Sequence, residues 1–349
     1  MTSINTFMNF SRVALTSCLR TAMLVTLLVL LFSLTTVSQA QEPDDVVRTD
    51  ISLVQLNVGV VDSGGRAVTT LSRNDFAVYE DGVKQSILSF EPASAPFSLV
   101  LLLDMSGSTV NFRQQLKMAT TRFLDALAPE DRVSVIQFNA RIKKLTDFST
   151  DRKKAAYAIE IAEGAGNTHL YDALKYALNE LEKEGKRRKA IVVLTDGLDT
   201  EMRNSDRITV SKAQTDEEAL AAIKPDASAP LNAVLNAADR QGVTIYPLAL
   251  PSGDPKRLPI PGPDITGIYA AARSRIQSLA DRTGGRLTEI NRLDQMARLY
   301  PTVAADLRTL YTVSYQARGE RPRGKWHEIR VELAQPELTA RTRPGYFAR

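Results

Sequence analysis

Apolar residues along this chain follow two different rhythms. From Val46 to Phe90 they alternate loosely, as in ISLVQLNVGVVD (Ile51–Asp62) and FAVYEDGVKQSILSF (Phe76–Phe90), the period of half-buried strands. Asp81-Gly82 lies inside the second run, and a dipeptide that tolerates positive φ predicts a tight hairpin turn there. EPASAP (Glu91–Pro96) then breaks the pattern. From Phe97 onward, short runs that are apolar throughout alternate with amphipathic segments. Strands are expected at Phe97–Asp104, Arg132–Asn139, Ile142–Leu145, Ala190–Leu194, Val243–Leu250 and Gly285–Glu289. Helices are expected at Arg113–Leu127, Asp151–Ile161, Leu170–Leu181, Leu231–Arg240, Ala270–Thr283 and Asp294–Leu307. Strands without a polar face, separated by helices, imply a mainly parallel sheet covered on both sides, a doubly wound α/β domain over residues 97–308. Strand character returns in LYTVSYQ, KWHEIRVEL and LTARTRPGYF. Pooled, the two flanks hold about six strands, enough for a small sandwich. The expectation is that 46–92 and 310–349 form one β domain with the α/β domain inserted into it.

The N-terminus fits neither rhythm. Arg12 and Arg20 precede AMLVTLLVLLFSLTTV (Ala22–Val37), and SQA follows, the charged, apolar and small-residue order of a secretory signal peptide, residues 1–40. Cleavage after Ala40 would export the protein to the periplasm or beyond; if uncleaved, the segment would be its membrane contact. The one cysteine, Cys18, leaves with that segment, so burial rather than disulfides must hold the exported chain together. Of 44 Lys and Arg, two lie in residues 1–40, with none of the 40 acids, so the remainder is close to balance. That balance suggests neither nucleic acid nor an anionic membrane surface as partner. Two histidines, His169 and His327, leave little room for a His/Cys zinc site or an imidazole-based triad.

Ligands of parallel α/β sheets sit in the crevice at the carboxyl ends of the strands. SLVLLLDMSGST (Ser98–Thr109) runs a buried strand into Asp104, Ser106 and Ser108 at such an end. VVLTDGLD (Val192–Asp199) brings Asp196 to the same edge, and GAGNTHLYDAL (Gly164–Leu174) brings Thr168 on a glycine-rich loop before a helix. Alone, Asp-x-Ser-x-Ser also fits an ordinary turn with a hydroxyl capping the next helix. Three segments converging on one edge favour an ion instead. Asp104, Ser106, Ser108, Thr168 and Asp196 offer only oxygen, which suits Mg²⁺, with Mn²⁺ or Ca²⁺ as alternatives. Ligands carrying little charge would leave the ion able to attract the Asp or Glu carboxylate of a partner protein.

Around this set, Asp172 reads as a helix support, Asp199 as solvated and His169 as a rim residue, each with a possible supporting role behind the ligands. Residues 200–229 and 251–267 read as long connections projecting around the site. The run EKEGKRRKA (Glu182–Ala190) reads as the solvated end of a helix. Trp326 reads as a packing residue and His327 as a surface one.

DMSGS with the later GNTHLYDAL and LTDG resembles the metal-ion-dependent adhesion site of the von Willebrand factor type A domain, a resemblance covering Ser98–Arg308. The flanks, GRAVTTLSRNDFAVYEDGVKQSILSFE before and YTVSYQARGERPRGKWHEIRVEL with RPGYF after, resemble exported bacterial proteins related to that domain, known chiefly from acidobacterial genomes. The resemblance implies that Ser106 and Ser108 bind the ion directly, that Asp104 and Asp196 act largely through water, and that Thr168 joins when a ligand engages. Gly166-Asn167 departs from the two glycines usual in that loop. The function expected is a non-enzymatic, Mg²⁺-dependent protein-binding or adhesion module. The alternatives are a structural envelope component in which the ion stabilises the fold, or a metal-dependent hydrolase. The hydrolase lacks support in the residues: Ser106 stands where an Asp-x-Asp phosphotransferase has its second acid, and Gly-x-Ser-x-Gly is absent.

Overall fold

The computed structural model describes residues 53–290, 296–317, 322 and 324–348. The signal segment read from the sequence lies outside them. No helix among the described residues is long and apolar enough to cross a membrane.

The first flank forms β1 (Leu53–Val61), β2 (Phe76–Glu80), β3 (Val83–Gln85) and β4 (Ile87–Glu91). Asp81 and Gly82, at φ 48° and 79°, make the two-residue turn that pairs Glu80 with Val83. There follow β5 (Phe97–Asp104), α1 (Arg113–Ala126), β6 (Arg132–Phe138), β7 (Ile142–Lys144), α2 (Arg152–Ile161), α3 (Leu170–Glu182) and β8 (Arg188–Thr195). Beyond β8 come α4 (Thr200–Val210), α5 (Asp216–Ala222), α6 (Ala229–Gln241), β9 (Val243–Ala249), α7 (Pro263–Thr283), β10 (Thr288–Glu289) and α8 (Met296–Leu307). The chain closes with β11 (Leu310–Gln316), β12 (Trp326–Leu333), β13 (Thr339–Arg341) and β14 (Gly345–Phe347).

The central sheet has the order β10-β9-β8-β5-β6-β7, parallel except for β7. All eight residues of β5 are buried. Leu99, Leu101 and Leu103 join the core under α1, α2 and α8, while Val100 and Leu102 join the opposite core under α3, α6 and α7. Two four-stranded sheets, β13-β1-β11-β4 and β14-β12-β2-β3, enclose a separate core around Leu56, Val58, Val78, Tyr311, Val313 and Tyr315. Each of these sheets mixes strands from both flanks, as where β1 pairs antiparallel with β11.

Four details differ from the sequence reading. Residues 200–229 are not a loop but hold α4 and α5, packed on α7 around Val210, Ala219, Ile223, Ile268 and Ala271. A buried two-bond pair joins Arg275 to Asp206 at 2.6 and 2.7 Å across that contact. Of the 251–267 connection, the last residues already belong to α7, which starts at Pro263. EKEGKRRKA is not all solvated: Arg188 is fully buried, donating to the carbonyls of Pro92, Ala93, Ala95, Leu307 and Leu310, with its guanidinium 3.9 Å from the centre of the Phe97 ring. One fork thus satisfies backbone acceptors at both crossings between the α/β core and the β sheets. His327 is buried, not on the surface, with Nδ1 2.8 Å from Asp81 Oδ2. Its strand β12 places it between β2 and β14, where the hairpin acid supplies a polar partner.

Candidate metal centre

Burial of β5 on both faces leaves it no register in which to slide, so Asp104 is held at its carboxyl end. Strand order reverses there. The chain leaves β5 towards β6 on one side and leaves β8 towards β9 on the other, which opens the crevice where ligands of such sheets bind.

Asp104 and Asp196 are both fully buried at this point. Asp104 Oδ1 accepts the Ser106 N–H at 3.0 Å, and Oδ2 accepts the Thr195 hydroxyl at 2.8 Å. Asp196 Oδ1 accepts the Leu198 N–H at 3.0 Å, and Oδ2 accepts the Ser252 hydroxyl at 2.8 Å. Neither carboxylate has a cationic partner among the described residues. Burial first, and then the charge of Asp196, push the Asp104 carboxyl up to about 7. Two adjacent buried acids whose carboxylate oxygens accept only from neutral donors make this point electrostatically favourable for a cation.

The loop after β5 is braced by its own side chains. Thr109 donates to the carbonyls of Asp104 and Ser106 at 2.9 and 3.0 Å. Arg113 donates to the carbonyls of Met105 and Ser106 at 3.0 and 3.1 Å and to that of Gly164 at 2.5 Å, tying this loop to the next one. Ser106 Oγ and Ser108 Oγ lie 3.1 Å apart. Neighbouring ligands of an octahedral Mg²⁺ with bonds of about 2.1 Å stand about 3 Å apart, so this pair fits two adjacent positions. Among the described residues no three His, Cys, Asp or Glu side chains cluster, so an ion here depends on these hydroxyls as much as on the acids.

The second loop meets the first through its backbone, the Gly107 N–H donating to the Gly166 carbonyl at 3.0 Å. Gly166 takes φ 81°, which only glycine adopts cheaply, while Asn167 needs no positive φ. The departure noted in the sequence therefore falls where a side chain is tolerated. Thr168 is buried, and its N–H donates to the Thr200 hydroxyl while the Thr200 N–H donates back to the Thr168 carbonyl, both at 2.9 Å. That exchange ties the second loop to the segment after Asp196.

The three flanking residues are placed differently from one another. Asp199 is buried rather than solvated: Oδ1 accepts the N–H groups of Glu201 and Met202, capping α4, and Oδ2 accepts the Leu170 N–H at 2.8 Å. It aligns the starts of two helices. Asp172 is exposed in the first turn of α3 and pairs with Lys175 at 3.2 Å. His169 is the N-cap of α3, with its backbone N–H on the Asn139 carbonyl and Nδ1 4.0 Å from Asp172.

Four contributors escaped the sequence reading: Thr195, Thr200, Ser252 and Arg113. Thr195 immediately precedes Asp196, so the strand-end logic that selected the acid also reaches it. Ser252 carries no local signal, standing 56 residues from its partner.

Residues 99–198 match the family model of the von Willebrand factor type A domain. An uncharacterized protein of Synechocystis sp. is 35% identical over 116 residues, 32% of this chain and 27% of that protein. The voltage-dependent calcium channel subunit alpha-2/delta-2 of Homo sapiens is 27% identical over 117 residues, 30% of this chain and 10% of the subunit. This chain thus spans about a quarter or less of the length of these relatives. Among solved structures, the von Willebrand factor domain of the type V pili tip protein Mfa5 from Porphyromonas gingivalis superposes with a TM-score of 0.46 at 15% identity, covering 66% of this chain and 99% of that one.

Proposed function

We propose that this von Willebrand factor type A domain is the divalent-ion-dependent binding module of an exported protein, and that it holds a partner protein by an Asp or Glu side chain. The carrying observation is the buried pair Asp104 and Asp196, whose carboxylate oxygens accept only from neutral donors, beside the Ser106 and Ser108 hydroxyls. A bound Mg²⁺ would supply charge neutralisation at that pair and an open position for a carboxylate oxygen. Ser106 and Ser108 would hold it, Thr168 would join them, and Asp104 and Asp196 would act from behind. Thr195 and Ser252 keep those two carboxylates from rotating. Ser106 Oγ faces another hydroxyl, not a base, which supports binding over nucleophilic catalysis.

The test is thermal unfolding of the purified chain with Mg²⁺, Mn²⁺ or EDTA, followed by capture of partners from an envelope fraction. Saturating ion at about a hundredfold over Kd should stabilise wild type by about 2.7 kcal/mol. Asp104→Ala should abolish that gain, and EDTA should release the captured partner. Ion-independent stability together with EDTA-resistant capture would remove the proposal.

A further inference from the structure

Ser252 lies on the connection that leaves β9, yet its hydroxyl reaches the end of β8 and donates to Asp196 Oδ2 at 2.8 Å. Since Asp196 Oδ1 already accepts the Leu198 N–H, the carboxylate cannot turn without losing one bond. Arg273 secures the backbone beneath, donating to the carbonyls of Asp196 and Leu250 and so joining the ends of the same two strands. Beyond Ser252 the chain is braced over a few residues. Gly253, at φ 74°, sits so close to Leu198 that a Cβ there would lie 2.8 Å from its Cδ1. Asp254 caps the Pro255–Arg257 turn through the Lys256 N–H at 3.0 Å, and the Leu258 N–H returns to Pro255. The arm then carries Ile260, 90% exposed.

We propose that Ser252 is a positioning residue of the ion site and that it couples occupancy of that site to the order of the 251–262 arm. This rests on the reading of Asp104, Asp196 and the hydroxyls as a divalent-ion site. An ion would add a restraint on the Asp196 carboxylate to the one that Ser252 already supplies. Each restraint lowers the entropic cost of the other, and such coupling is reciprocal between the two sites. Loading the site therefore orders the arm, and an ordered arm tightens the site.

The experiment is limited trypsin digestion of the full chain in Mg²⁺ and in EDTA, with cleavage after Lys256 and Arg257 followed by mass spectrometry. Cleavage after Arg66, in an exposed turn of the β sheets, is the internal reference, and melting temperatures are recorded on the same samples. In wild type, Mg²⁺ should slow cleavage in the arm about fivefold or more relative to Arg66. Ser252→Ala should still melt higher with Mg²⁺, with affinity reduced about tenfold, and should lose the protection of the arm at saturating ion. A wild-type protein that melts higher with Mg²⁺ without protecting the arm would overturn the coupling alone. So would full protection retained in Ser252→Ala. No ion-dependent melting shift in wild type would remove the ion site and this coupling together.

Discussion

Asp104→Asn should stabilise the ion-free protein and make it indifferent to Mg²⁺, a pair of effects with opposite sign. Asp104 is fully buried, and its carboxyl is pushed from 3.8 up to about 7, by burial first and then by the Asp196 charge. A folded-state pKa above the unfolded one means that its support for the fold is complete below about pH 4 and is lost as the pH rises through about 7. About three pKa units correspond to roughly 4 kcal/mol of destabilisation at pH 8 in EDTA. Asparagine removes the charge in the same shape and can still accept the Ser106 N–H. Its amide must face Thr195, whose hydroxyl now donates, at a cost of about 1 kcal/mol. The net gain is about 2–3 kcal/mol, or about 5 °C in melting temperature. At pH 5 the folded state is neutral at this position and only the unfolded state is ionised, so the net gain should shrink to less than about 1 kcal/mol, and it should vanish below about pH 4. With Mg²⁺ at about a hundredfold over Kd, wild type gains about 2.7 kcal/mol and the variant nothing, so the difference between them should close to about zero. Calorimetric or fluorescence melting at pH 5 and pH 8, in EDTA and in Mg²⁺, measures all four values. A variant less stable than wild type at pH 8 in EDTA, or one that Mg²⁺ stabilises equally, would refute the reasoning.

Three further substitutions probe how the site is held. Arg188→Ala leaves five carbonyls, three of them in buried bonds, without this donor and should cost about 3 kcal/mol or more in urea unfolding; Arg188→Lys should recover little of it, because an ammonium cannot span both crossings. Gly164→Ala would place a Cβ 2.6 Å from the Met105 carbonyl oxygen and from Asn139 Nδ2, prying the second loop from the first. Its Mg²⁺ affinity, measured by titration calorimetry, should fall about tenfold or more. Asp206→Ala strands the buried Arg275 guanidinium and should destabilise by about 3–5 kcal/mol, with hydrogen exchange rising first in α4 and α5.

The elements were legible where local pattern is decisive. The run Phe97–Asp104 is apolar on both faces, so it could only be a central strand, and Asp81-Gly82 could only be a turn. The α4 and α5 helices carry start signals as well: Asp199 with Glu201 in the first turn, and Thr215-x-x-Glu218, and the Asp199 and Thr215 side chains cap the two helices. Arg188 was not legible. A cation in a run of cations reads as solvated, and only the meeting of residues 92–95 with 307–310 around it supplies the carbonyls that make burial tolerable.

The sequence by itself determined which atoms are available at the sheet edge: two carboxylates, three hydroxyls and no thiol or paired imidazoles. Periodicity and strand-end position reach that far, because they depend on neighbours a few residues away. Tertiary structure decided which groups face each other. Thr195 on Asp104, Ser252 on Asp196 and Asn57 on Thr244 are contacts across 91, 56 and 187 residues. They exist because strand order and register bring those residues together, and a hydroxyl in the sequence looks the same whether it will cap a helix, meet water or hold a buried acid in place.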